Sequence, residues 1–342
     1  MLLPRPPVDL QDVQVIDLSN ARGDSLRLLT LGATIKEWNI NTRGHGLINT
    51  VLGYPHEQSY LMDTAYHGAI AGRYCNRIAN SRFTLGTEQY QLLSNEGPHH
   101  LHGGPQGFYN RLWHIEERDR QSLTLSLHSA DGDQGYPGNL DVRLRYTLND
   151  DGALDIEWQA QSDRDTVVSL TNHAYFNLAG CGDIRDQYLR IAASHYTPVT
   201  KDLIPTGEIR PVAGTVLDLR NFTLLDQLLN SDDSEITAHG GLDHNWAIDS
   251  GGVCAELLCP RTQLLLQASS TLPGLQCYTG NNLLAHGTHG CHEGVCLETQ
   301  HYPNSPNEPG FPSPLLRAGE TQRHHTRYHI SEVNAEETLA NV

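Results

Sequence analysis

LTLSLHSADGDQGYPGNLDVRLRYTLNDDG, residues 123–152, decides the fold class of this chain. Leu123, Leu125 and Leu127 alternate with Thr124 and Ser126, so the leucines share one face of an extended strand. Leu140 to Leu148 repeats the alternation less cleanly. Asp131-Gly132-Asp133 and Asn149-Asp150-Asp151-Gly152 follow these runs, and such residues turn a chain back on itself. Similar turns recur at Gly44-His45-Gly46, Asn95-Glu96-Gly97-Pro98 and Asp249-Ser250-Gly251-Gly252. Val253 to Leu258 and Leu264 to Leu266 read as more deeply buried strands. Helical patterning is confined to the leucines at 224, 225, 228 and 229 after Asn221-Phe222-Thr223, and to a short stretch from Glu57 to Tyr66. Helices do not alternate with strands, which disfavours a doubly wound α/β fold. The pattern predicts an all-β chain, an antiparallel sandwich or barrel with few short helices.

Residues 301–320 carry five prolines and cannot form a central strand; an ordered loop packed over the sheet is expected there. A single domain is expected over 1–342, with its core at about 10–330 and an acidic tail, 331–342, of undetermined order.

Lys and Arg total 23 against 40 Asp and Glu, a net charge of −17 over 342 residues. That sign argues against nucleic acid or an anionic membrane as partner. Apolar runs fall far short of the ~18 residues of a membrane helix. The opening MLLPRPPVDL does not read as a secretory signal. Seven scattered cysteines then predict reduced thiols and a cytoplasmic location. The two lysines, Lys36 and Lys201, do not follow glycine, so a phosphate-binding P-loop is excluded. Gly-x-Ser-x-Gly and Gly-x-Gly-x-x-Gly motifs are absent too, leaving nucleophile-elbow hydrolysis and nicotinamide chemistry unsupported.

The informative anomaly is polar residues where core strands should be. In VSLTNHAYFNL (168–178) an extended backbone puts Thr171, His173, Tyr175 and Asn177 on one face. In GVCLETQH (294–301), Val295, Leu297 and Thr299 face one way and Cys296, Glu298 and Gln300 the other. A Glu in the middle of an apolar strand is rarely buried without a purpose or a partner. Gln276 and Tyr278 share a face in LPGLQCYTGNN (272–282), and GGLDHNWAI (240–248) delivers Asp243 and His244. Asn76-Arg77 centres RYCNRIAN (73–80), and the glycines of HHLHGGPQGF (99–108) let the backbone near His102 approach a ligand. Six such clusters fit one cleft assembled from several strands. Their carboxylates, amides, histidines and aromatics suit a polyhydroxylated neutral ligand, a sugar.

At these residues the sequence resembles the aldose 1-epimerase family. The matching blocks are GRYCNRIANSRF (72–83), LHGGPQGF (101–108), DGDQGYPGNL (131–140), TNHAYFNLAG (171–180), GLDHNW (241–246), LPGLQCYTGNNL (272–283) and LETQHYPNSPN (297–307). The resemblance implies a large antiparallel β-sandwich with an open sugar cleft. It implies Glu298 as catalytic base, His173 as catalytic acid, and Asn76, Arg77, His102, Tyr175, Asp243 and Gln276 as sugar-binding residues. Cys277 and Asn282 stand where the family often has Phe. The implied reaction interconverts the anomers of free aldoses such as D-galactose and D-glucose by ring opening and reclosure. It needs one base and one acid, so no cofactor and no metal are expected. The expected partner is a free monosaccharide, and the expected state a monomer or weak homodimer.

Glu and His ordinarily titrate near ~4.3 and ~6.5, which predicts an ionised Glu298 and a His173 kept protonated by an acidic cleft containing Asp243. A glycosidase using Asp243 and Glu298, a non-catalytic sugar-binding module, and a hexose-phosphate epimerase using Arg77 and Arg73 are the rival readings. The His- and Cys-rich stretch 286–296 lacks metal-site spacing and reads as a chance enrichment.

Overall fold

A computed structural model describes residues 8–249, 251–286 and 289–340. Among the described residues the largest sheet has nine strands. Its centre is an antiparallel run of Ser122–Ser129, Leu140–Leu148, Ala153–Ser162 and Thr321–Glu332. The Leu140–Leu148 alternation, less clean as sequence, is strict in space: Leu140, Val142, Leu144, Tyr146 and Leu148 are buried, and the residues between are not. Val253–Cys259 and Leu264–Ser270 continue the sheet and are largely buried on both faces, as their apolar runs require.

A second sheet of six strands packs on the first and carries Tyr175–Phe176, Val295–Gln300, Gly274–Tyr278 and Asp243–Ala247 side by side. The contact joins named partners. The Tyr328 hydroxyl donates to the Leu297 carbonyl at 2.6 Å, Thr299 and Thr326 hydroxyls meet at 2.6 Å, and the Phe176 and Tyr328 rings lie 5.0 Å apart. One face of Val295–Gln300 is therefore committed to the core, as the residue alternation predicted. Truncating a leucine such as Leu297 to alanine would cost about 2–5 kcal/mol. A four-stranded sheet, Val15 to Asn49, completes the frame and is tied to it by the Tyr146 hydroxyl, which donates to the Ala33 carbonyl at 2.6 Å.

Three readings change and one holds. Residues 168–178 are not one extended strand. Thr171–Asn172 pairs with Ile70–Ala71, and Tyr175–Phe176 pairs with Val295–Cys296. The chain bends between them because the Asn172 amide donates to the Gly68 carbonyl while its oxygen accepts from the Ala174 N–H. The expected helix over 57–66 is only a 3-10 turn, Glu57–Met62. The tail is ordered through 340: the last strand runs to Glu332, and a helix, Ala335–Ala340, buries Ala335 against Leu258 and Leu265. The proline-rich segment is an ordered loop, with Leu315–Leu316 paired to Thr166–Val167 and the Asn304 N–H donating to the Arg77 carbonyl.

Candidate active site

The six-stranded sheet lays polar side chains in transverse rows. Tyr175, Cys296, Tyr278 and Asp243 are register partners across four strands, and Glu298, Gln276 and Asn245 form the next row. Because alternate residues of a strand share a face, one face of this sheet is polar while the other packs on the core. Above the rows lies a cavity of about 290 Å³, bounded by Asn76, Arg77, His102, His173, Tyr175, Asp243 and Glu298. Gln276 lies beneath that wall and donates to Asp243 Oδ1 at 2.6 Å. Gln276 Oε1 and Glu298 Oε2 are buried without a hydrogen-bond partner among the described residues. Such atoms are costly unless a ligand or solvent meets them.

His173 reaches the cavity from the bend after Asn172. Its Nε2 lies 3.7 Å from Glu298 Oε1, and its Nδ1 lies 3.5 Å from the Cys296 thiol. Its ring packs between those of Tyr175 at 5.0 Å, His102 at 5.2 Å and Tyr66 at 5.6 Å. His102 is fixed by its neighbour strand: its Nδ1 accepts from the Asn76 N–H at 3.2 Å, and its own N–H donates to the Asn76 carbonyl. The glycines after it let the chain approach itself. A Cβ at Gly103, where φ is +88°, would meet the Gly72 carbonyl oxygen at 1.7 Å, so the close approach is of the chain to itself.

Electrostatics overturn the expected resting charges. Burial pushes His173 down to about 4. The charge that opposes this is Asp63, not Asp243; it is paired with the buried His67 at 3.2 Å. Burial pushes Glu298 well above the ordinary carboxylate range; Asp243 pushes it further, and Arg77 pulls it back. His102 falls well below its ordinary value for the same reason, with His173 and Arg77 adding to the effect. Burial thus favours the neutral form of both His173 and Glu298.

All eight sequence-predicted residues converge here. Arg73 does not: its guanidinium is buried against the carbonyls of Pro137, Gly138 and Ser129, away from the cleft. That removes the phosphate pocket a hexose-phosphate epimerase would use. Glu96, Tyr66 and Leu203 also line the cavity and were missed. Glu96 stood in sequence only as part of a turn, and nothing local shows that it reaches Arg77. Asn282 lies at the cavity, and Cys277 is fully buried in the core behind it. In the 286–296 stretch the side chain of His286 is outside the described residues. The others disperse: His289 pairs with Glu293 at 3.0 Å, His292 meets the Thr279 carbonyl, and Cys291 is exposed. Among the described residues, one set of donor atoms, those of His102, His173 and Glu298, lies within 4.8 Å of one another, so the groups placed to flank a sugar could also chelate a cation.

The family model described as aldose 1-epimerase matches residues 14–329. A galactose mutarotase of Mus musculus is 41% identical over 322 residues, covering 90% of this chain and 91% of the relative. An aldose 1-epimerase of Escherichia coli (strain K12) is 36% identical over 332 residues, covering 94% and 96%. Among solved structures, a GalM/aldose epimerase homologue from C. elegans aligns with a TM-score of 0.88 at 28% identity, over 94% of this chain and all of that one. A galactose 1-epimerase from Lactobacillus acidophilus NCFM gives 0.84, also at 28% identity, over 94% of this chain and 95% of that one.

Proposed function

The chain belongs to the aldose 1-epimerase family, and from that premise we propose that Glu298 and His173 are the proton-transfer pair with which it interconverts the α and β anomers of free aldoses. The observation that carries the reading is the 3.7 Å separation of His173 Nε2 and Glu298 Oε1 at the wall of a polar cleft.

Anomer exchange removes a proton from the C1 hydroxyl and delivers one to the ring oxygen. The C1–O5 bond opens to an aldehyde, C1–C2 rotates, and the ring closes on its other face. One proton shared by two groups suffices. Burial favours neutral imidazole and protonated carboxyl. Moving the proton from Glu298 to His173 makes carboxylate and imidazolium with no change in net charge. A bound sugar favours that form: its C1 hydroxyl donates to the carboxylate, and its ring oxygen accepts from the imidazolium. Reclosure exchanges the roles. Asn76, Arg77, His102, Tyr175, Asp243 and Gln276 hold and orient the remaining hydroxyls.

The chain is further proposed to work as one catalytic unit, monomeric or weakly dimeric, in the cytoplasm. The support is its seven free thiols, five of them buried. No helix among the described residues is long and apolar enough to cross a membrane.

Polarimetry or NMR of freshly dissolved α-D-galactose and α-D-glucose tests the reading. Equilibration faster than buffer alone is expected with the wild type. An active Glu298→Gln variant would overturn the assignment of the pair.

A further inference from the structure

Arg77 is the one cation among the described ionised side chains lining the cleft, since burial keeps both histidines there neutral. Its guanidinium is already engaged. Nε and Nη2 both donate to the carboxylate of Glu96, at 2.6 and 2.7 Å. Glu96 is set by a tight turn in which Glu96 and His99 exchange backbone hydrogen bonds, and the Asn95 side chain braces both polar groups of the Leu101 backbone. Arg77 itself is held by its backbone, whose carbonyl accepts from the Asn304 N–H at 2.7 Å. The pair is thus a fork closed by the protein's own carboxylate, with Asp243 also lining the cleft.

Resting on the reading of this cleft as the anomer-exchange site, we propose that Glu96 is a specificity-determining residue that excludes anionic sugars, uronates in particular. A carboxylate ligand binds a guanidinium best through two parallel N–H groups. Here Glu96 occupies the Nε/Nη2 edge. A uronate is left the Nη1/Nη2 edge, where its charge is set against that of Glu96 on the same guanidinium and that of Asp243 in the same cleft. A neutral hydroxyl needs only a single N–H, and Nη1 has no hydrogen-bond partner among the described residues. Discrimination of this kind is built from repulsion and occupied donors as well as from attraction.

The test measures anomer exchange of D-galactose, D-galacturonate and the methyl ester of D-galacturonate. It uses the wild type and the Glu96→Gln and Glu96→Ala variants, with folding checked by thermal melts. The wild type is expected to favour galactose over galacturonate by at least about tenfold in kcat/KM, the scale of one charge-assisted pair. The ester should recover much of that loss, because it has the size of the uronate without its charge. Both variants are expected to raise the galacturonate-to-galactose ratio by about tenfold, whatever happens to the absolute rates. Glu96→Gln keeps an acceptor for Arg77 Nε and guards against a folding failure in the alanine variant. A merely structural Glu96 would lower both rates together and leave the ratio fixed, which would overturn the proposal. So would a wild type that handles galacturonate as well as galactose. A wild type inert on galactose and glucose would instead sink the anomer-exchange reading, and this proposal with it.

Discussion

His173 Nε2 stands 3.7 Å from Glu298 Oε1, and the two side chains are 5% and 2% exposed. Neither group ionises alone at low cost in that setting, so they titrate as a pair. Removing either partner should remove the shared proton transfer. Glu298→Gln and His173→Asn are each expected to lower galactose exchange by roughly 10²–10⁴-fold without unfolding the protein. Polarimetry on variants with wild-type melting curves checks this.

The pH profile follows from the same burial. The working form of the pair holds one proton. Lowering the pH adds a second to His173, whose value is pushed down to about 4, so the acidic limb should fall well below the ordinary histidine value. Raising the pH strips the remaining proton from Glu298, whose value is pushed up, so that limb lies above the ordinary carboxylate range. No acidic limb should appear near pH 6.5, where a free histidine titrates. An acidic limb centred there in kcat/KM would contradict the charge assignment.

Asp243 acts on Glu298 through charge as well as on the sugar through hydrogen bonding. It is the second-largest cause of the raised Glu298 value, after burial. Asp243→Asn should therefore let Glu298 ionise more readily and move the alkaline limb to lower pH. It should also raise KM, because the amide loses the charge that strengthens the hydrogen bond Gln276 donates to Asp243 Oδ1 at 2.6 Å. Comparing the alkaline limb of the two proteins separates the charge effect from the binding effect.

Arg73 is a structural residue despite its place beside the site motif. Buried at 2% exposure, it donates to the carbonyls of Pro137, Gly138 and Ser129 and to the Ser129 hydroxyl at 2.7–3.0 Å. Arg73→Met would leave several buried carbonyls unpaired and is expected to cost about 3–5 kcal/mol. Chemical denaturation measures the loss. KM for galactose should be unchanged at temperatures where the variant is folded.

Much of this was readable one residue at a time. Period-two alternation marked Leu123–Leu127 and assigned the two faces of Val295–Gln300, because side chains of a strand must alternate whatever the rest of the chain does. The six polar clusters identified the cleft because polar residues interrupting apolar strands need a reason to be there. The single strand read over 168–178 failed because the Asn172 side chain competes with the ladder for backbone groups, and that competition needs Gly68 in place. Glu96 was unreadable because its role depends on a turn folding back onto Arg77.

The amino-acid order alone settled the fold class and the chemical equipment, since strand periodicity and functional-group identity are local properties of the chain. Which partner each group meets, and which way its charge is pushed, came only with the packed sheets. Desolvation depends on everything that surrounds a side chain, and it is desolvation that pushes His173 down and Glu298 up.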